Sequence, residues 1–536
     1  NLKHSPRERP KIETFDDILP YVGEASRYQW FLFIMLLPFT FVYAFLYFTQ
    51  FFITLLPAEH WCTVPELEQW NLTDKQKRSR VPEELLAEGA TSFSRCNMYN
   101  VNYTDILESG IREANPSWPI IPCQYGWTFN HTMIPYKSIA VELEWVCDHA
   151  FLGSAAQSAF FVGSILGGLI FGYIADHCGR IPALVACNAV GFIASVGTAF
   201  CNSFWSFCLA RLVVGTSFDN CFNVLFIIVI EYVGPKYRTL VANMSFGLYF
   251  AAASSLLPWI AYWISNWRIL SMVTACPMVA FITFAYFIYF RSWYITSGKV
   301  DKAIEMLKNF AKVNGKEVKQ EIFDEFEKSC KAMNEKDQSH NQYTVLHLFK
   351  LPRLVNLSII NRTKLLMVWV FDGHVWNMKL LDPDVFTSFS LASLTELPAA
   401  VLLALFLDRW GRRWMGFASM FLCGIFSFVA IATPSAIVAF TYFSTLNIAA
   451  NIGFQYAAEM LPTVVRAQGV SLIHIIGYAD IDPSLPLVAL GLLSFGHAFL
   501  TLGLPETLNQ ELPETLQEGN DFGKEQSFWW VPCISS

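Results

Sequence analysis

Asp219 stands in RLVVGTSFDNCFN, inside a stretch otherwise apolar enough to cross a membrane. An ionisable group at such depth is costly and usually functional. Glu231 follows twelve residues later, about 18 Å along a helix rising 1.5 Å per residue. A carboxylate at Asp219 would hold a cationic solute; equally, it could pair with Arg211 two turns away. Glu396, just before Pro398, is a second acid in apolar sequence. Gating, proton coupling and a structural hydrogen bond are all open to it.

Other charged residues recur in pairs. Asp176, Gly179 and Arg180 in DHCGRI (176–181) match Asp408, Gly411 and Arg412 in DRWGRR (408–413). Glu231 and Arg238 in EYVGPKYR match Glu459 and Arg466 in EMLPTVVR, with the same separation. Such duplication marks a repeated helical bundle. Gly permits a tight reversal between helices, and the Arg side chains suit anionic headgroups. The Asp, at a helix end, can pair with the Arg of the EMLPTVVR-type stretch or with a helix N-terminus. Acid–base elements arranged this way fit a latch that closes two bundles on one membrane face. A lone basic loop would be only a topology signal; the duplication favours the latch.

The elements that must position these groups are membrane helices. Of 536 residues, 54% are hydrophobic and 15% charged, against about 25% charged in soluble proteins. Apolar runs of about 20 residues span the hydrocarbon core. They fall near 30–56, 149–174, 183–202, 204–232, 239–262, 268–290, 385–407, 414–433, 436–458 and 484–504. A seventh helix near 354–371 and an eleventh near 468–479 are each short: KLLMVWVF follows Asn361, Arg362 and Thr363, and GVSLIHIIGYA runs into Asp480. The residues before Tyr28 are polar and show no cleaved signal peptide; the first helix is expected to direct targeting. The fold class expected is an all-α membrane protein of two six-helix bundles. Its parts are an N-terminal segment 1–29, a bundle 30–290, a linker 291–353, a bundle 354–504 and a tail 505–536.

Residues 57–148 carry Cys62, Cys96, Cys123 and Cys147 with glycosylation sequons at Asn71, Asn102 and Asn130. That coincidence points to an oxidising, extracellular face. Four cysteines allow three pairings, and sequence leaves them open. The linker is rich in Lys and Glu, and the short Arg-bearing loops share its side if helices alternate. Positive charge then lies inside, with both termini cytoplasmic. The pair of Gly-xxx-Gly spacings in GSILGGLIFG (163–172) allows close helix packing. No GxxxxGK[ST] phosphate loop, GxSxG element or metal cluster is present, so neither an enzyme, nor an ATP-driven pump, nor a cofactor or metal is expected. Nothing suggests nucleic acid; the partners expected are a small solute and the lipid bilayer.

Several motifs together resemble the organic cation/carnitine transporter family of the major facilitator superfamily, and most nearly its insect members, which include carcinine transporters. They are FGYIADHCGR, EYVGPKYRTL, TELP, LDRWGRR, AAEMLPTVVRAQG and LPETLNQELPETLQEG, with the Cys-bearing loop opening at HWC (60–62). The resemblance implies a plasma-membrane secondary transporter working by alternating access on small organic cations or zwitterions such as carnitine, carcinine or choline-like amines. It places Phe222, Phe246, Tyr249 and Asn451 at cavity positions, with Trp369 and Phe371 as a seventh-helix aromatic pair. At the Asp219 position, cation-carrying relatives have Lys; at their eleventh-helix Asp this chain has Tyr478. The carboxylate has changed helix. His177 and Ile181 replace basic residues of the first loop, and YFRSWYI (289–295) replaces the usual Pro-Glu-Ser. The short seventh and eleventh helices fit either a splicing or gene-model loss or a genuinely shortened paralogue. Two rivals therefore stand beside cation transport: an organic anion transporter, which needs a deep cation such as Arg211, and a non-transporting, receptor-like protein.

Overall fold

A computed structural model describes residues 15–23, 26–57, 59–68, 82–85, 91–109, 115, 117–132, 134–177, 180–233, 235–292, 300–337, 384–433, 436–460, 487–508, 521–524 and 526. Counted by their expected places among twelve, the helices are the first (Arg27–Ile53), second (Phe151–His177), third (Arg180–Thr198), fourth (Phe204–Tyr232), fifth (235–264) and sixth (Trp267–Ser292). In the second half stand the eighth (Val385–Trp410), ninth (Arg412–Ala432), tenth (Ala436–Met460) and twelfth (Leu487–Thr501). These ranges follow the apolar runs closely. The expected seventh and eleventh helices lie outside the described residues. Six helices among those described are long and apolar enough to cross a membrane by length and composition.

Burial separates two faces on each helix. On the first helix Trp30, Phe31, Ile34 and Leu37 are exposed, while Leu32, Leu36, Phe39 and Val42 are buried. A large apolar stripe at helical spacing is a lipid-facing surface, since water would not tolerate it. The second helix does the same with Leu166, Leu169, Ile170 and Tyr173. Its inner face lies backbone to backbone on the fourth: a Cβ on Gly163 or Gly167 would strike the carbonyls of Leu212 or Thr216, and one on Gly215 that of Phe160. Here the small-residue spacing is packing.

The N-terminal segment and the linker form one cap. Ile18 and Val22 of the helix Phe15–Val22 share a buried cluster with Ile304, Leu307, Ala311, Phe323 and Phe326 of the linker helices Val300–Val313 and Gln320–Asp337. Asn314 ties the hinge, accepting from Tyr28 N at 3.0 Å and donating to Val22 O at 3.0 Å.

The loop between the first two helices is built on short antiparallel strand pairs: His60–Cys62 with Trp127–Phe129, Glu83–Leu85 with Thr91–Phe93, and Asn97–Tyr99 with Ile120–Pro122. Its disulfides are Cys62–Cys123 and Cys96–Cys147, resolving the pairing that spacing left open. They close loops of 61 and 51 residues, each removing about 4 kcal/mol of unfolded-state entropy in the loop-closure account. Asn102 is exposed; Asn130 is half-buried and its amide donates to Glu59 at 2.8 Å. Asn71 lies outside the described residues.

One ion pair anchors this loop to the bundle. Arg268, in the first turn of the sixth helix, grips Glu142 through both nitrogens at 2.6 and 2.9 Å. Trp267 Nε1 donates to the same carboxylate at 3.0 Å, and Arg268 also donates to Asn202 at 2.9 Å. The Arg268 hydrogen bonds hold the Glu142 carboxyl below its ordinary range, against the opposing effect of burial. A depressed folded-state pKa means the anchor is at full strength above the unfolded carboxyl value and is lost as pH falls through the folded one. Proteolysis of the loop is expected to be unchanged from about pH 8 to 5 and to rise below about pH 4. Glu142→Gln should flatten that acid step; a step of unchanged size in the variant would assign it to another group.

Candidate transport path and charge latch

Tyrosine and phenylalanine rings from three helices meet inside the first bundle. Tyr43 stacks on Phe218 at 4.6 Å and lies 5.5 Å from Phe222 and 6.0 Å from Phe250. Tyr47, one turn along, stacks on Phe218 at 5.4 Å. Phe218 and Phe222 are fully buried, whereas Tyr43 and Tyr47 are half-buried. Phe222 thus stands behind Tyr43, and the tyrosines are the more exposed rings of the set. Sequence reasoning missed Tyr43, Tyr47 and Phe250. The available signal was two hydroxyl-bearing rings at i and i+4 in an apolar helix, where a tyrosine needs a polar neighbour. Tyr249 is buried against Phe33 at 5.1 Å.

The fifth helix is not uniform. Its turns at Ser245–Phe250 are π-helical, between α-helical Pro235–Met244 and Ala251–Ile264. Such bulges gather at functional sites, and this one carries Phe246, Tyr249 and Phe250. No sequence pattern announced it.

Glu396 is 7% exposed and lies near the middle of the eighth helix. Its carboxylate accepts from the Asn451 amide of the tenth helix. One turn away, Asn447 donates to Thr395 Oγ1 at 2.8 Å, so two amides at i and i+4 clamp consecutive residues. Arg211, 3% exposed, is held by Gln50 Oε1 at 2.5 Å, by Leu46 O at 3.4 Å and over the Phe160 ring at 4.7 Å. Asp219 lies on the fourth helix; its side chain and that of Phe246 are outside the described residues, as are Trp369, Phe371 and Tyr478 altogether.

At one end of the helices the DRWGRR turn crosses between the bundles. Asp408 pairs with Arg412 at 3.0 Å and accepts from Thr239 of the fifth helix at 3.2 Å. Asn243, one turn deeper, reaches Gln455 of the tenth helix at 3.4 Å. Asp176 and Arg180 flank the turn between the second and third helices, Glu231 and Arg238 that between the fourth and fifth, and Glu459 lies at the end of the tenth. Their side chains are outside the described residues, and so is Arg466.

The N-terminus of the ninth helix is closed by Glu506, absent from the sequence-derived site. Its carboxylate is fully buried and accepts from four backbone amides: Arg412 at 2.9 Å, Arg413 and Thr507 at 3.0 Å, and Leu508 at 3.1 Å. Gly411 has φ +81°, and a Cβ there would run into Glu506, which is why this turn carries glycine. Gln526 exchanges two 2.8 Å hydrogen bonds with the Glu506 backbone, folding the tail onto this corner. The signal was an acid in LPETLNQ just past an apolar helix, within reach of a helix start.

The opposite end is closed by aromatic rings. Phe389 of the eighth helix packs on Phe48, Phe51 and Phe52 of the first at 4.9, 5.5 and 5.1 Å. Phe386 lies 6.0 Å from Phe52 and 5.4 Å from Tyr262. Beside them Ser390 Oγ donates to Ser255 O at 2.9 Å and Ser255 Oγ to Ser390 O at 3.4 Å. If this closure must open in each cycle, Ser255→Cys with Ser390→Cys should cross-link under mild oxidant. Solute flux should then fall at least tenfold and recover with reductant. Full flux in the cross-linked protein would exclude a moving gate at this contact.

The arrangement is that of a membrane transporter: two bundles, polar contacts at one end, aromatic closure at the other, and Glu396 between. Solved structures of similar shape agree on the fold. The inward-open xylose transporter XylE of E. coli matches with TM-score 0.52 at 12% identity, covering 92% of this chain and 100% of that one. The proton:xylose symporter XylE with bound 6-bromo-6-deoxy-D-glucose gives 0.53 at 15% identity, covering 70% and 90%. The family model "Sugar (and other) transporter" matches residues 124–478. Among curated proteins, the carcinine transporter of Drosophila melanogaster is 31% identical, over 98% of this chain and 82% of its own length. The β-alanine transporter of the same fly is 30% identical over 97% and 91%, and organic cation transporter 1 of Caenorhabditis elegans 29% over 96% and 90%. The chain belongs to the organic cation transporter family of the major facilitator superfamily.

Proposed function

We propose that the chain is a secondary transporter that carries small organic cations or zwitterions, of the carcinine, carnitine or choline kind, by alternating access. The observation that carries this is the pairing of two closures at opposite ends with an aromatic, acid-bearing middle. Relatives named for carcinine, β-alanine and organic cations support the substrate class. An ammonium group is attracted by ring faces and by carboxylates, and Tyr43, Tyr47, Asp219 and Glu396 supply both. Phe222, Phe246, Tyr249, Asn451, Trp369, Phe371 and Tyr478 complete the proposed wall. An organic anion would need a deep cation. The sequence offered Arg211, and its guanidinium is held by Gln50, Leu46 and Phe160, which disfavours that reading.

The remaining assignments follow the same logic. The disulfide-bonded loop faces the cell exterior with glycans on Asn71, Asn102 and Asn130. The termini and the 291–353 linker face the cytoplasm, and the protein resides in the plasma membrane. Asp176–Arg180, Glu231–Arg238, Asp408–Arg412 and Glu459–Arg466 form the inner latch. Uptake of a labelled cation by cells, normalised to surface protein, tests the site: Asp219→Asn should reduce it at least tenfold at unchanged surface level. Uptake indifferent to that change removes Asp219 from the path.

A further inference from the structure

Tyr28, at the start of the first membrane helix, and Asn314, just past the first linker helix, are 286 residues apart in sequence and bonded to each other. Asn314 Oδ1 accepts from Tyr28 N at 3.0 Å, and its amide donates to Val22 O at 3.0 Å. Gln29 Nε2 closes the same corner on Gly23 O at 2.7 Å. Gly23 has φ +119°, and a Cβ there would come within 2.9 Å of Asn314 Nδ2. This close approach brings two sets of basic residues to one place. On the helix side stands Arg27, exposed, whose peptide bond carries the Tyr28 N–H that Asn314 holds. On the linker side stand Lys312 and Lys316, both exposed, two residues either side of Asn314. That is at most about 7 Å of chain from it. From 308 to 319 the linker holds four lysines and one acid, Glu317. Lys308 lies over the Phe323 ring at 5.5 Å, on the cap itself. Glu24, three residues before Arg27, is outside the described residues.

The depth of this corner follows from the helix face. Arg27 precedes Trp30, Phe31 and Ile34 by three, four and seven residues, which places all four on one face of the helix. Those three apolar side chains are exposed and meet hydrocarbon. Arg27 therefore stands where that face leaves the hydrocarbon, with Trp30 at the boundary, the ordinary place of both residue types. Lys312 and Lys316 reach the same level through Asn314. We propose that this corner binds the headgroup of an anionic phospholipid. Arg27, Lys312 and Lys316 hold its phosphate and carboxylate, and its acyl chains lie along Trp30, Phe31 and Ile34. The choice of partner rests on the cytoplasmic placement of this end given above, since anionic lipid is concentrated in that leaflet. Each basic side chain at such a surface favours anionic over neutral lipid about fivefold, so the three together give a preference on the order of 100-fold. The cap shares its cluster with Leu32, Leu36, Ile181, Leu184 and Val229 of the first, third and fourth helices. A lipid bound here is thus a ligand of the first bundle, and it holds the N-terminal segment and the linker against the membrane with that bundle.

The test uses the purified full chain in a neutral detergent, with short-chain lipids carrying a fluorescent tail and binding read by anisotropy. The probes are phosphatidylserine, phosphatidylcholine and, as a soluble headgroup, glycerophosphoserine. Phosphatidylserine should bind at least 30-fold tighter than phosphatidylcholine, and about 0.5 M salt should remove most of that difference. Arg27→Gln combined with Lys312→Gln and Lys316→Gln should cut the preference at least tenfold at an unchanged melting temperature. Lys328→Gln, an exposed lysine on the second linker helix, should leave it within twofold. Asn314→Ala alters no charge but frees the lysine turn from the helix start, and should lower the preference at least threefold. Equal affinity for the two lipids overturns the site, as does a preference intact in the triple variant. A loss as large in Lys328→Gln would assign the preference to net charge and overturn it too. Glycerophosphoserine competing as well as the lipid would make a soluble phosphate the ligand. The placement beneath the proposal has its own check. Asn309→Cys, at an exposed position of the first linker helix, should react with an impermeant maleimide, above the parent chain, only in permeabilised cells. Reaction in intact cells overturns the cytoplasmic placement, and with it the choice of leaflet, whatever the binding in detergent shows.

Discussion

Glu506→Ala is expected to be the most damaging single change in the second bundle, lowering stability by about 3–5 kcal/mol, the range for breaking a buried charged network. Four buried backbone amides converge on that carboxylate. Each donor left unpaired costs about 1–3 kcal/mol, less than additively. The ninth helix would also lose the negative charge that suits its N-terminus. Glu506→Gln keeps one acceptor oxygen but turns an NH2 toward other donors, and should fall between wild type and Ala. The check is thermal unfolding in detergent together with the amount of protein at the cell surface. A melting temperature unaltered in Glu506→Ala would mean that the DRWGRR turn is held by Asp408 and Arg412 alone.

Tyr43→Ala should raise KM for a cationic solute about 30-fold, taking about 2 kcal/mol for a desolvated ring–cation contact, with thermal stability little changed. Tyr43→Phe keeps the ring face and should stay within about threefold of wild type. Phe222→Ala is expected to act differently. Its ring is fully buried behind Tyr43, so truncation leaves a cavity and costs about 3–5 kcal/mol of stability. Surface expression should fall before KM moves. The split between a KM effect at Tyr43 and a stability effect at Phe222 follows directly from their difference in burial. The reverse pattern would place Phe222 at the solute and Tyr43 in the packing.

Much of the architecture was legible because membrane helices write their length in apolar residues. The fourth helix runs from Phe204 to Tyr232, the very run read from sequence. The loop cysteines announced disulfides, but their partners depend on which strands pair, and only three-dimensional structure settles that. The duplicated acid–base motifs named Asp408 and Arg412, which pair at 3.0 Å. They did not show that Asp408 meets Thr239 of the other bundle, since that contact joins residues 169 apart in sequence. Glu506 and Tyr43 carried only weak local signals, and each matters mainly through neighbours brought in by folding. The π-helical turns of the fifth helix lie beyond side-chain periodicity altogether, because one residue more per turn leaves no mark on an all-apolar face.

The most direct test of the central claim is uptake of labelled carcinine, carnitine and tetramethylammonium by cells expressing the full chain, normalised to surface-exposed protein. Saturable uptake of at least one, inhibited by the other cations, is the result expected of an organic cation carrier. Full surface delivery with no uptake of any of them would contradict it.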